Sequence, residues 1–244
     1  MRIKRALSAL GILTVASGVA LCHTVVDPEV AQNLLNEIAR YQAASRSAST
    51  LETRAEAWFN LGSRVQVLVG LLNQDFNAHG TNDPLAQEVV KRLASSEVKV
   101  VWSEERRHYS YDLEAFKQYQ KLAPTGPRAA ESGFQLLSAA FYATLDLDPS
   151  KLAVKDIPAV MKAEEEEERF LKAYANDARA KEVLFYLGVD CYRLSLHVSN
   201  LAQARNYGRR ARRALETVAA WYPGSIEARA ATSLLETRND SAHR

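Results

Sequence analysis

The sequence predicts an all-α protein of stacked antiparallel helix pairs, and three observations carry that expectation. Only ten glycines and seven prolines occur in 244 residues, and much Ala, Leu, Glu and Arg favours helices. Ala180, Val183, Leu184, Leu187, Cys191, Leu194 and Val198 follow the i, i+3, i+4, i+7 spacing of one helix face. Phe185, Val189 and Tyr192 add a second strip, so this helix should be buried on two sides. A pattern also recurs. Glu56-Ala-Trp-Phe-Asn-Leu-Gly62 and Glu182-Val-Leu-Phe-Tyr-Leu-Gly188 share E-(apolar)-(W/L)-F-x-L-G, and Tyr174-x-Asn176-Asp177 before Ala180 echoes Tyr222-x-Gly224-Ser225 before Ala228.

Met1–Cys22 stands apart from the fold. Arg2, Lys4 and Arg5 precede the uncharged apolar run 6–21, a secretory signal pattern too short for an ordinary spanning helix. Three fates are open: cleavage after Cys22, lipidation of Cys22, or retention as an N-terminal membrane anchor. Val19-Ala20-Leu21-Cys22 resembles a bacterial lipoprotein box, although Leu21 stands where Gly, Ala or Ser is usual. Each fate makes the chain exported, periplasmic or associated with an envelope membrane.

Asp27-Pro28 is an N-cap followed by proline at the first helical position, opening a helix to about Ala43. Its apolar positions are Val30, Leu34, Leu35, Ile38 and Tyr41. After the polar linker 44–50, Ser49-Thr-Leu-Glu52 reads as a capping box. The helix it opens carries Trp58, Leu61, Val65, Leu68, Val69 and Leu72, and ends near Asn77–Gly80. Asp83-Pro84 opens another, to about Leu93.

Val98–Trp102 and Arg107–Tyr111 are rich in β-branched and aromatic residues around a polar turn. A small hairpin near 98–111 and an irregular connection both fit. Glu114–Lys121 and Arg128–Leu145 are helical, hinged at Ala123-Pro-Thr-Gly-Pro127; a loop bracketed by Asp148-Pro149 and Asp156-x-Pro158 follows. The polar joint 199–203 separates the 180–198 helix from one with the stripe Ala211, Ala214, Leu215, Val218 and Tyr222. Pro223-Gly224 stops that helix, and Ser225 caps the last, through about Leu235. The chain thus divides into an N-terminal helical region at 27–155, its last part (96–155) a connecting section, and a C-terminal repeat unit at 156–238.

WFNLG (58–62), LFYLG (184–188) and AAWYPGS (219–225) resemble tetratricopeptide repeats, whose signature runs W-x2-L-G-x2-Y and later Pro. Val65 and Cys191 replace the signature tyrosine, and the 35 residues from Gly188 to Pro223 exceed the usual spacing. Lengthened repeats with Y-P-x-S-x-x-A joints resemble the periplasmic tetratricopeptide proteins of bacterial envelopes, including the barrel-assembly lipoprotein. The resemblance implies an α-solenoid whose small Gly62 and Gly188 let neighbouring helices approach closely.

Three of the 31 basic residues and none of the 29 acidic ones lie in 1–22, so a cleaved chain carries 28 against 29. Near-neutral charge gives no support for nucleic-acid binding. Two cysteines, one in the leader, cannot make a disulfide framework, and Cys191 reads as a small core residue. The five histidines are scattered without metal-ligand spacing, no cofactor motif occurs, and no catalytic residue has positive support.

Glu131-Ser-Gly-Phe134 resembles the E-S-x-F start of lytic transglycosylases. That resemblance implies an alternative function, a peptidoglycan-acting enzyme on a helical platform with Glu131 as general acid. Such an acid needs an apolar pocket, and Gln135-Leu136 replace the Asn/Asp-Pro with which that family continues. Two charge runs remain, Glu164–Glu168 and the arginines 205, 209, 210, 212 and 213. They read as solvated faces paired across neighbouring helices, or as an arginine surface for an acidic partner. The expectation is a non-enzymatic binding or scaffold module of the bacterial cell envelope. Its partner would be an envelope protein or peptide, held along Tyr186, Tyr192, Tyr207, Arg209, Arg212 and Arg213.

Overall fold

The computed structural model describes residues 27–79, 84–95, 98–104, 107–146, 148 and 150–242. Residues 1–22, with Cys22, lie outside them. The described chain is mostly helical, with one two-stranded sheet: α1 (Pro28–Ser47), α2 (Leu51–His79), α3 (Pro84–Ser95), β1 (Val100–Ser103), β2 (His108–Tyr111), α4 (Glu114–Leu122), α5 (Ala129–Thr144), a 3-10 turn (Val154–Asp156), α6 (Ile157–Ala173), α7 (Ala180–His197), α8 (Leu201–Trp221) and α9 (Ile226–Ala242). It divides into two compact units between Ser132 and Gly133, earlier than the 155/156 boundary expected from the sequence. The reason is Phe141 on α5, which lies in one core with Phe185, Tyr186 and Val189.

In the N-terminal unit the Asp27 carboxylate caps α1, accepting from the Glu29 N–H at 2.8 Å, with Pro28 in the first turn. The helix runs on to Ser47, and Val30 is 45% exposed although the sequence put it on the apolar stripe. The expected cap of α2 shifts by one residue. Thr50, not Ser49, accepts from the Thr53 N–H at 3.1 Å. Leu61, Val65, Leu68 and Leu72 are buried with Leu34, Leu35 and Ile38 of α1 and Val89 and Leu93 of α3.

Of the two readings near 98–111, the hairpin is the one that forms. β1 and β2 pair antiparallel, with Val100 opposite Tyr111 and Trp102 opposite Tyr109. A lone hairpin is marginal, and here Asn73 of α2 anchors it. The Asn73 amide donates to the Tyr109 carbonyl at 3.0 Å, and its oxygen accepts from the Tyr109 N–H at 2.6 Å. One side chain thereby does what a third strand would do. The Trp102 and Tyr109 rings meet edge-on at 5.0 Å.

In the C-terminal unit α7 packs against α6, α8 and α9, and α8 also packs against α9. α7 is buried nearly all round, from Ala180 to Leu194, more than the two strips expected. α8 begins at Leu201, inside the stretch read as a polar joint, because Asn200 caps it by accepting from the Gln203 N–H at 3.0 Å. Pro158 lies in the first turn of α6 and so opens a helix where a loop edge was expected. Ser225 caps α9 as expected, its hydroxyl accepting from the Ala228 N–H at 3.0 Å. Gly224 takes φ +86°, the left-handed turn that favours glycine.

Three helix-to-helix joints share one geometry. α4, α6 and α8 end at Ala123 (φ −140°, ψ 64°), Tyr174 (−131°, 40°) and Tyr222 (−125°, 51°). The N–H of each donates four residues back, to the carbonyls of Tyr119, Phe170 and Val218. The carbonyl of each accepts from three residues on, from Gly126, Asp177 and Ser225. Ala129, Ala180 and Ala228, each six residues past its joint, are buried. The echo read between 174–180 and 222–228, and the joint read at 119–131, are therefore the same turn.

The motif glycines also do what the sequence suggested. A Cβ on Gly62 would come within 3.0 Å of the Phe116 ring of α4, and one on Gly188 within 2.7 Å of Leu215 of α8.

Candidate functional site

Of the six residues expected to line a partner surface, the structure divides three from three. Tyr186 is 2% exposed; its ring stacks on Phe141 at 4.2 Å and its hydroxyl lies 3.4 Å from the Ser138 hydroxyl. Burial pushes that phenol well above its usual range. Tyr207 is buried with Leu194 and Ala211, and the Arg210 guanidinium sits over its ring at 5.6 Å. Tyr192 is half-buried against the same cluster. The expectation of a tyrosine-lined groove is thus corrected: Tyr186 and Tyr207 are core residues, because α7 is enclosed by α5, α6, α8 and α9 rather than half open.

Arg209, Arg212 and Arg213 are exposed, together with Arg205. All four lie on the side of α8 opposite its buried stripe Tyr207, Ala211, Ala214, Leu215 and Val218. Arg212 bonds Glu216 one turn on at 2.7 Å, and Arg209 reaches Asn206 at 3.4 Å. Among the described residues Arg205 and Arg213 have no ion pair. Arg210 points the other way, onto α6, where it bonds Glu164 and Glu168. So the two charge runs are partly paired across neighbouring helices, and what remains is an arginine surface.

Glu131 occupies the first turn of α5. Its side chain is 32% exposed, and its carboxylate lies 3.4 Å from the Arg128 guanidinium. Glu131 lies eight residues past the Ala123 joint, as Glu182 lies eight past Tyr174, and Glu131-Ser-Gly-Phe-Gln-Leu136 repeats the E-x-x-F-x-L of 56–61 and 182–187. The E-S-x-F likeness therefore coincides with a pattern that the chain repeats elsewhere.

The structure also contains a charged cluster that sequence reading missed. Glu167 of α6 and Asp190 and Arg193 of α7 are each 0% exposed. The Arg193 guanidinium donates to Asp190 at 2.9 Å, to the Thr144 hydroxyl at 3.1 Å and to the Thr144 carbonyl. Neither Glu167 oxygen has a hydrogen-bond partner among the described residues. Burial first, and then the Asp190 charge, push the Glu167 carboxyl well above the usual range, and Arg193 acts against them. Burial also pushes Asp190 up, opposed by its Arg193 contact. Cys191, buried as expected, is an inert thiol pushed up by burial and the nearby carboxylates. The signal for Glu167 was present in the sequence. Val160, Ala163, Glu164, Glu167 and Phe170 form one i, i+3, i+4, i+7, i+10 stripe, which the acid run disguised as a solvated face.

No family model, no curated protein and no solved structure matches the chain. Among the described residues no helix is long and apolar enough to cross a membrane, and no three His, Cys, Asp or Glu side chains group as metal ligands.

Proposed function

We propose that the chain is a non-enzymatic binding or scaffold module of the bacterial cell envelope, its helices stacked as a tetratricopeptide-like array. The observation that carries this reading is the exposed face of Arg205, Arg209, Arg212 and Arg213 on α8, set on a helix whose other side is locked into the core. Guanidinium groups bind carboxylates in planar, two-point fashion, so this face suits an acidic segment of an envelope protein or peptide. The recurring joints support the array, since stacked helix pairs that cannot bury their apolar faces alone leave an extended surface for partners. The basic and then apolar residues 1–22 support export.

The test is affinity capture from envelope extract with the wild type and with Arg209→Glu/Arg212→Glu/Arg213→Glu. Captured proteins are identified by mass spectrometry, and folding of both baits is checked by circular dichroism. A partner held by the wild type and lost from the folded triple variant supports the reading. The same partner held equally by both removes the arginine face from it.

A further inference from the structure

Glu167 stands seven residues before its joint, and the same register holds Phe116 before the Ala123 joint and Leu215 before the Tyr222 joint. Those two apolar side chains fill the space over Gly62 and Gly188. In α6 a carboxyl takes the place of the apolar knob. Departures from a chain's own local rule are where a device is to be sought.

The other acids of the run have surroundings of their own. Glu164 and Glu168 meet Arg210 of α8, Glu166 lies 3.9 Å from Lys162 and 3.7 Å from Arg169, and Glu165 is exposed. From α7, Glu167 meets Asp190, Arg193 and the protonated Cys191, and on its own helix Glu166 adds like charge. On α8, Arg210 bonds Glu164 and Glu168 and the Tyr207 phenol lies in one cluster with Val160 and Cys191, while at the end of α5 the neutral Thr144 accepts from Arg193. Two buried carboxyls therefore share one buried guanidinium, and that guanidinium bonds Asp190. Enclosing an excess negative charge away from water is unfavourable, so one carboxyl keeps its proton.

We propose that Glu167 is a proton-binding site in the core of the C-terminal unit: protonated, it seats α6 against α7, and its ionisation releases α6. This is independent of the arginine face. Because burial raises the Glu167 carboxyl, its contribution to stability is complete below the ordinary carboxylate range and is lost as the pH climbs above that range.

The experiment is hydrogen exchange of α6 amides in the full chain at pH 6 and pH 9, corrected for intrinsic exchange, beside Glu167→Gln and Glu167→Leu. Carboxyl-stretch infrared difference spectra of the wild type against each variant accompany it. The wild type should lose α6 protection at pH 9, while both variants keep theirs. The leucine variant restores the apolar residue found at the two sister positions and guards against a glutamine that fails to fold. A protonated-carboxyl band present at neutral pH in the wild type and missing from the variants is the second expected result. Equal α6 protection in wild type and variants at both pH values, or no such band, overturns the proposal.

Discussion

Gly188 lies directly beneath Leu215. A Cβ there would fall 2.7 Å from Leu215 Cδ2 and 2.8 Å from its Cγ, both atoms of a side chain only 3% exposed. Overpacking of this kind costs about 1–3 kcal/mol, and the better helix propensity of alanine returns up to about 1 kcal/mol. Gly188→Ala should therefore destabilise by about 1 kcal/mol. Gly70 also sits within a helix but has nothing within 4 Å of its would-be Cβ, so Gly70→Ala should stabilise by about 0.5–1 kcal/mol. Urea melts of the two variants check both signs.

Asn73→Ala should release the hairpin. It strips two hydrogen bonds from the Tyr109 main chain, at a residue 8% exposed, and unpaired buried backbone groups cost about 1–3 kcal/mol each. Loss of amide protection at Val100–Tyr111, with the protection of α1 unchanged, is the expected exchange pattern.

Arg193→Ala should cost about 3–5 kcal/mol, because it leaves Asp190 buried without its counter-charge. Replacing Arg193 by Met together with Asp190 by Leu should cost much less, since a well-packed apolar pair often substitutes for a buried ion pair. A double-mutant cycle in urea separates the pair from its members.

Tyr186→Phe removes a hydroxyl that lies 3.4 Å from Ser138 and hydrogen-bonds Tyr142, so the loss should be about 1 kcal/mol. Tyr186→Ala, which empties the stack on Phe141, should cost about 3–5 kcal/mol. If Tyr186 instead lined a binding surface, the alanine variant would stay near wild-type stability in thermal melts.

What the sequence made legible was periodic or local. The stripe of α2, the Asp27 and Ser225 caps and the turn at Gly224 depend on residues a few positions apart, and those expectations hold; the small Gly62 and Gly188 were marked by the repeated motif, although the side chains over them, Phe116 and Leu215, lie far along the chain. What escaped depends on partners far along the chain. The hairpin was ambiguous because Asn73, 36 residues before Tyr109, decides it. Tyr186 resembled a surface aromatic because the amphipathic reading of α7 had no knowledge of Phe141. Glu164 and Glu167 were hidden by composition: a run of five acids reads as solvated until their helical register against Val160 and Phe170 is weighed above their charge. In the candidate site the exposure of Arg209, Arg212 and Arg213 was legible and the burial of Tyr186 and Tyr207 was not, since it is set by the helices packed around α7 and α8.

The proposed binding function depends on α8 presenting arginines to an acidic partner. Its most direct test is the dissociation constant of the captured partner, purified, for the wild type and for Arg209→Glu/Arg212→Glu/Arg213→Glu at low and high salt. Binding that weakens at least about tenfold in the triple variant, with a wild-type affinity that falls as salt rises, is the predicted result. An affinity indifferent to both the substitutions and the salt would contradict it.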